Sequence, residues 1–394
     1  MSVKFFNFKV YFLFFLLILF LAKSSYLYAQ LPEGKWPVVG EPPQTVEDHF
    51  IIEPAEYNVE TWVRGLIIPW ELIFLSTEKA LVTERVSQVR VIERGILQDA
   101  PYKVVDEVEP IGEGGLMGMA KHPDYPEQKY IYIMYTYREN RNIFSRVARY
   151  LDLDNALEFD LIIADKIPAS NVHNGGRIAF GPDGMLYVST GDTWHSELAQ
   201  DMKSLAGKIL RYTPEGDIPD DNPFPASPIF SLGHRNTQGL AWHPESGILF
   251  SSEHGPTGEF GLYGRDIINI IKKGGNYGWP LVLGAAKVLP YLDPIIMWLK
   301  TTPPSGMTFW DNYLFVATLR SEALIRIHLE QFDESYQVKG IDRLFAEDWD
   351  TGTFGRLRDA VAGPDGALYI LTNNYDGRGR PREGDDKIIR ITKK

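Results

Sequence analysis

Arg177 to Asp192 reads RIAFGPDGMLYVSTGD, two short apolar runs joined by Gly181-Pro182-Asp183-Gly184. Pro presets φ for a turn, Gly tolerates a left-handed backbone, and Asp bonds to its own backbone. The middle is therefore a turn and the flanks are strands. The same pattern recurs at Glu71–Glu84 (ELIFLSTEKALVTE), Gly118–Thr136, Gly239–Gly255 (GLAWHPESGILFSSEHG), Gly306–Leu319 and Ala360–Asn374 (AVAGPDGALYILTNN). The six copies begin 47, 59, 62, 67 and 54 residues apart. A lone hairpin cannot bury both its faces, so neighbouring copies must stack. Spacings near 60 leave room for two further strands and a loop per copy. The expectation is an all-β, six-bladed β-propeller with four-stranded antiparallel blades. A β-helix needs shorter coils, and a sandwich does not repeat so regularly.

The chain has 394 residues, 44% of them hydrophobic, which is ample for a large core. Its net charge is -12, which argues against non-specific nucleic-acid binding. Residues 1–29 carry Lys4, Lys9 and Lys23 without an acid, and Val10 to Ala22 is an unbroken apolar run of 13. A spanning helix needs roughly 20 apolar residues, so the run reads as an export signal cleaved near Ala29, with an uncleaved anchor as the alternative. No later segment is apolar enough to span. The expected organisation is a signal at 1–29, an N-terminal extension at 30–58 and a propeller at 59–394. The expected location is periplasmic or secreted, with no stable membrane span after cleavage. There is no Cys, so disulfides, thiolate metal sites and Cys-attached haem are excluded.

In a propeller the loops at one end of the channel converge, so unusual polar residues there are site candidates. The loop before the third copy holds His173-Asn174-Gly175-Gly176, and the copy ends in Asp192. A His beside a carboxylate is a general-base pairing, while a structural turn His is the plainer alternative. The loop before the fourth copy holds Arg235-Asn236, suited to a carboxylate ligand or to bridging two blades. Copy four ends in His254-Gly255-Pro256, whose turn carbonyls suit a hard cation, or merely pack. Arg320, Arg356 and Arg358 recur on the later copies, and the last two are spaced to point the same way on a strand. Three Arg at one mouth of an acidic protein point to a polycarboxylate ligand, with surface ion pairs as the alternative. His122 and His243, in HP turns, read as turn residues. Gly112–Gly118 lacks the dinucleotide-binding spacing.

Together these segments carry a resemblance. GLIIPWELIFL (65–75), LVTER (81–85), GEGGLMGMAKHPDY (112–125), HNGGRIAFGPDGMLYVSTGD (173–192), GKILRYTPEGDIPDDNPF (207–224), GHRNTQGLAWHP (233–244), SEHGP (252–256), GGNYGWP (274–280), PPSGMTF (303–309) and GRLRDAVAGPDGALYILT (355–372) resemble the soluble glucose/sorbosone dehydrogenases. The likeness is to the aldose sugar dehydrogenases that use pyrroloquinoline quinone (PQQ), and it runs in family order over almost all of the chain after residue 60.

The resemblance implies a six-bladed propeller that oxidises an aldose at its anomeric carbon to the lactone. His173 would be the base, with Asp192 beside it and Arg235 at the reacting centre. Glu113, Arg235, Asn236, Arg320, Arg356, Arg358 and Thr372 would contact PQQ. Gly255 and Pro256 would ligate a Ca²⁺ seated on the cofactor, Tyr277 would match a ligand of a second Ca²⁺, and Asp266 would lie near the substrate. Ile267 stands where the family has a Glu ligand of that second ion, and 281–304 differs from the glucose enzyme. With no Cys for a haem, the electrons would pass to a separate acceptor. A Ca²⁺-dependent propeller lactonase and a non-catalytic sugar-binding propeller are the alternatives.

Overall fold

The computed structural model describes residues 36–333 and 335–394; the expected export segment, 1–29, lies outside the described residues. Six antiparallel sheets form the blades of a β-propeller. Blade 1 consists of Pro69–Phe74, Lys79–Glu84, Gln88–Glu93 and Ile96–Leu97, with Lys103–Val104 added on Gln88–Glu93. Blade 2 is Leu116–Lys121, Tyr130–Glu139, Asn142–Asp152 and Leu157–Pro168. Blade 3 is Ile178–Phe180, Leu186–Ser189, Lys208–Tyr212 and Ile229–Leu232. Blade 4 is Thr237–Trp242, Leu249–Glu253, Asp266–Ile271 and Ile296–Trp298. Blade 5 is Pro304–Trp310, Tyr313–Thr318, Leu324–Phe332 and Ser335–Leu344. Blade 6 is Leu357–Ala362, Leu368–Thr372 and Lys387–Lys393, completed by Tyr57–Arg64 from the other end of the chain. Each repeat in the sequence is the first hairpin of one blade.

The first two strands of a blade are buried on both faces because each blade is sandwiched by two others. Leu186–Ser189 and Leu368–Thr372 have no exposed residue. The core is accordingly a set of apolar layers between blades. One joins Phe250, Ile268 and Trp298 of blade 4 to Leu314, Val316 and Ile325 of blade 5. Another joins Val63, Leu371 and Ile388 of blade 6 to Leu72, Val82 and Ile92 of blade 1.

Tyr57–Arg64 pairs antiparallel with Lys387–Lys393 as the outermost strand of the last blade, so the two ends of the chain close the ring in one sheet. Asp48–Ile51, in the stretch read as an N-terminal extension, runs parallel to Ile341–Leu344 and covers the edge of blade 5. Val38–Val39 pairs with Val282–Leu283.

The segments that enter each first strand and leave each second strand lie at one mouth of the channel. Glu113, His173, Arg235 and Arg356 precede first strands, and Arg85, Asp192, His254 and Arg320 follow second strands. Eight positions spread over most of the sequence thereby meet in one place.

Candidate active site

A cavity of about 750 Å³ opens at this mouth, lined among others by Glu113, His173, Trp194, Arg235, Gly255 and Arg356. His173 has a left-handed backbone (φ 53°) and is almost wholly buried. Its approach to Asp192 depends on Gly191, where a Cβ would lie 2.0 Å from the His173 carbonyl oxygen. The His173 ring is bonded at both nitrogens, Nδ1 to Asp192 Oδ1 at 2.7 Å and Nε2 to Arg235 Nη2 at 2.9 Å. A guanidinium can only donate, so Nε2 holds a lone pair and the ring proton sits on Nδ1, donated to Asp192. Asp192 is held in turn by Trp279, whose Nε1–H donates to Oδ2 at 2.7 Å, and by the Trp194 backbone N–H, which donates to Oδ1 at 2.9 Å. The result is a neutral imidazole whose Nε2 lone pair is taken up by Arg235 at the cavity wall.

Arg235 is itself fixed. Its Nε donates to Glu259 Oε1 at 2.7 Å and its Nη2 to Thr257 Oγ1 at 3.2 Å. Asn236 Oδ1 accepts the Gly175 N–H at 3.0 Å, and its Nδ2 donates to His254 Nδ1 at 3.3 Å. His254 lines the cavity, and burial beside Arg235 and Arg358 outweighs the pull of Glu113, pushing its pKa down to about 3. The indole of Trp194 is largely exposed and lies against the His173 ring, with centroids 5.0 Å apart.

The arginines divide by depth. Arg320 stands at the rim, exposed, 3.8 Å from Asp350. Arg356 is buried and donates to Asp376 from Nε (3.0 Å) and Nη2 (2.7 Å). Arg358 lies deeper, its Nη1 donating to Gln238 Oε1 at 2.7 Å. Burial pulls the Arg358 pKa down to about 9 and lowers that of Arg85. Both line a pocket of about 20 Å³ beneath the cavity, and among the described residues neither forms an ion pair. Glu113 accepts the His173 N–H at 3.0 Å and a 2.6 Å bond from Arg378. Burial alone would raise its pKa, but Arg378 prevails and holds it at about 2.

Gly255 and Pro256 line the cavity. A Cβ on Gly255 would lie 2.1 Å from the Gly264 carbonyl oxygen, so the turn is packed tightly. Asp266 braces it: Oδ1 accepts the Gly255 N–H at 2.9 Å and Oδ2 the Thr302 N–H at 2.6 Å. Burial nevertheless pushes the Asp266 pKa up to about 6. Three expected cofactor or metal contacts lie away from the cavity lining: Asn236, fully buried behind His254, Thr372 and Tyr277. Thr372 is buried in blade 6 and bonds to Asp386 and to the Lys387 carbonyl. The Tyr277 hydroxyl donates to the Ile270 carbonyl at 2.7 Å, and its ring stacks on His234. Among the described residues, no group of three or more His, Asp or Glu is arranged to hold a metal.

An all-β propeller with a polarised His–Asp pair and unpaired cations at one channel mouth has the pocket of an enzyme rather than of a scaffold. The chain belongs to the Glucose / Sorbosone dehydrogenase family, which it matches over residues 66–389. It is 32% identical over 357 residues to aldose sugar dehydrogenase YliI of Escherichia coli, a match spanning 82% of this chain and 92% of that one. It is 29% identical to quinoprotein glucose dehydrogenase B of Acinetobacter calcoaceticus, over 70% of this chain and 76% of that one. The PQQ-bound form of the aldose sugar dehydrogenase of Streptomyces coelicolor shares its fold with a TM-score of 0.76 at 36% identity, over 86% of this chain and 98% of the other. This chain is a propeller of the sugar-dehydrogenase kind.

Reading the sequence missed Trp194, Glu259, Trp279, Arg378 and the ring of His254 as parts of this site. His254 was legible only as a neighbour of Gly255-Pro256. The pairs Asp192–Trp279 and Glu113–Arg378 are 87 and 265 residues apart, and nothing local marks them.

Proposed function

We propose that this protein is a PQQ-dependent aldose dehydrogenase that oxidises the anomeric carbon of an aldose to its lactone and delivers the electrons to a separate acceptor. The observation that carries the proposal is the His173 ring, held by Asp192, with its Nε2 lone pair taken up by Arg235 at the wall of a large, cation-lined cavity. The donor set fits the cofactor. Arg358 is a buried and Arg85 a half-buried cation, neither with a carboxylate partner among the described residues, and a tricarboxylate would complete them. Arg320, Arg356 and Arg358 would hold it, and the carbonyls of Gly255 and Pro256 would offer oxygen ligands to Ca²⁺. When bound, the quinone would supply the two-electron acceptor and Ca²⁺ would polarise it.

The rest is the work of the chain. The anomeric hydroxyl takes the His173 Nε2 lone pair in place of Arg235, which keeps its bonds to Glu259 and Thr257. Nε2 accepts the hydroxyl proton as C1 is oxidised, and the Asp192 carboxylate stabilises the imidazolium that forms. Two backbone carbonyls are far fewer than the six to eight oxygens Ca²⁺ takes, so the ion should bind only together with the cofactor. The lactonase alternative needs a cluster of acidic ligands, and the cavity has more Arg than acid. The export read from residues 1–29 belongs to the same proposal and fits a partner that collects electrons outside the cytoplasm.

The test is reconstitution: apo-protein with PQQ and Ca²⁺, a panel of aldoses and an electron-accepting dye. Dye reduction requiring both PQQ and Ca²⁺ supports the reading, and no reduction with any aldose refutes it. His173→Ala should bind PQQ and lose most turnover.

A further inference from the structure

Three facts fix the protonation of His254 in sequence. The Gly175 backbone N–H can only donate, and it faces Asn236 Oδ1 at 3.0 Å. That sets the orientation of the Asn236 amide, so its NH₂ faces His254 Nδ1 at 3.3 Å. Nδ1 must then accept, and the proton of the ring sits on Nε2. Turning the ring over would put a C–H against the amide and gain nothing. The tautomer is the opposite of that of His173, whose proton is on Nδ1.

The Nε2–H of His254 is shut off from solvent and bonds to no group. A buried donor left unmade is costly, and native proteins rarely leave one so. Arg358 Nε is in the same state. Both residues line the pocket of about 20 Å³ under the main cavity, with Arg85, Arg356, Arg378 and Gln238 around them and two carboxylates, Glu113 and Asp376, bonded to Arg378 and Arg356 respectively. The space admits a single oxygen-sized group, and two bare donors among arginines suit a carboxylate.

We infer that His254 is a cofactor-positioning residue: its Nε2–H and the Nε–H of Arg358 donate to one carboxylate of the bound quinone. The inference rests on the quinone reading of this site and adds the tautomer and the partner of His254. His254 donates throughout and takes no part in the proton transfer assigned to His173.

Two measurements test it, one without any cofactor. Nitrogen-15 imidazole spectra of the apo-protein at neutral pH, with His254 assigned by its loss in His254→Gln, should show Nε2 protonated and Nδ1 bare. The reverse tautomer overturns the inference. PQQ titration of the apo-protein, followed by the quinone absorbance, should give a Kd about 10- to 100-fold weaker for His254→Leu. His254→Gln, which retains an N–H donor, should stay within a few-fold of wild type. Wild-type affinity in His254→Leu overturns the inference and leaves the function standing. Failure of the wild type to bind PQQ at all overturns both. Should His254→Leu not fold, the spectra and the Gln variant still decide.

Discussion

Asp192→Asn replaces one carboxylate oxygen with an NH₂ and changes almost nothing in shape. Asp192 is buried and accepts from three donors: His173 Nδ1, the Trp194 N–H and Trp279 Nε1–H. The last two are donors in every protonation state. If the new NH₂ takes the Oδ2 position, it meets the Trp279 indole N–H. If it takes the Oδ1 position, it meets the Trp194 N–H and forces the His173 proton to Nε2, where the Arg235 guanidinium already donates. The first placement sets one pair of donors face to face and the second sets two, so the NH₂ takes the Oδ2 position, at a cost of about 1–3 kcal/mol of stability. The larger effect is on catalysis, because the imidazolium that forms on His173 loses its counter-charge. General-base catalysis is worth about 10²- to 10⁴-fold, or roughly 2.7–5.5 kcal/mol of barrier. Dye-linked turnover of the reconstituted protein should therefore lose about that factor in kcat, with KM and PQQ affinity little changed. A kcat within three-fold of wild type, in a folded variant that binds PQQ, would refute the role given to the pair.

Trp194→Ala removes an exposed ring lying against His173, where the apolar face of a sugar would rest. The aldose KM should rise about 3- to 10-fold with PQQ affinity unchanged, as expected for losing about 0.5–1.5 kcal/mol of ring packing; an unchanged KM removes the platform. Arg177 sits deeper in the channel, 2.6 Å from Glu71 and 3.2 Å from Asp359, all three buried. Burial raises both carboxyl pKa values and Arg177 opposes it. Arg177→Met leaves the two acids facing each other and should cost about 3–5 kcal/mol, lowering Tm by several degrees; a wild-type Tm contradicts this. Glu113 is held at about 2, below its ordinary 4.5. The Glu113–Arg378 pair therefore stabilises the fold above pH 4.5 and loses that contribution as pH falls toward 2. Glu113→Gln should flatten the acid limb of Tm against pH, and parallel curves would show that the pair contributes nothing.

The blades were legible because a strand and its turn are local. Gly181-Pro182-Asp183-Gly184 and Gly363-Pro364-Asp365-Gly366 bend the chain wherever they occur, and six such hairpins have only each other to stack on. His173 and Asp192 flank one hairpin, so their pairing was within reach of the same reading. Arg356 and Arg358 were read as a matched pair, and both do line the deep pocket. They differ in partners, however: Asp376 for one, Gln238 for the other. That difference depends on loops from other blades.

The amino-acid sequence thus determined the number of blades, the end of the channel where the polar residues gather and the family to which the chain belongs. Each of these follows from patterns that are each contained within about twenty residues. Only the tertiary structure decided that Tyr57–Arg64 closes the ring on Lys387–Lys393 and that Trp279 steadies Asp192. It also set opposite tautomers on His173 and His254. A hydrogen-bonded ring takes its proton from whichever donors and acceptors surround it. Here those come from different blades, brought together only when the propeller closes.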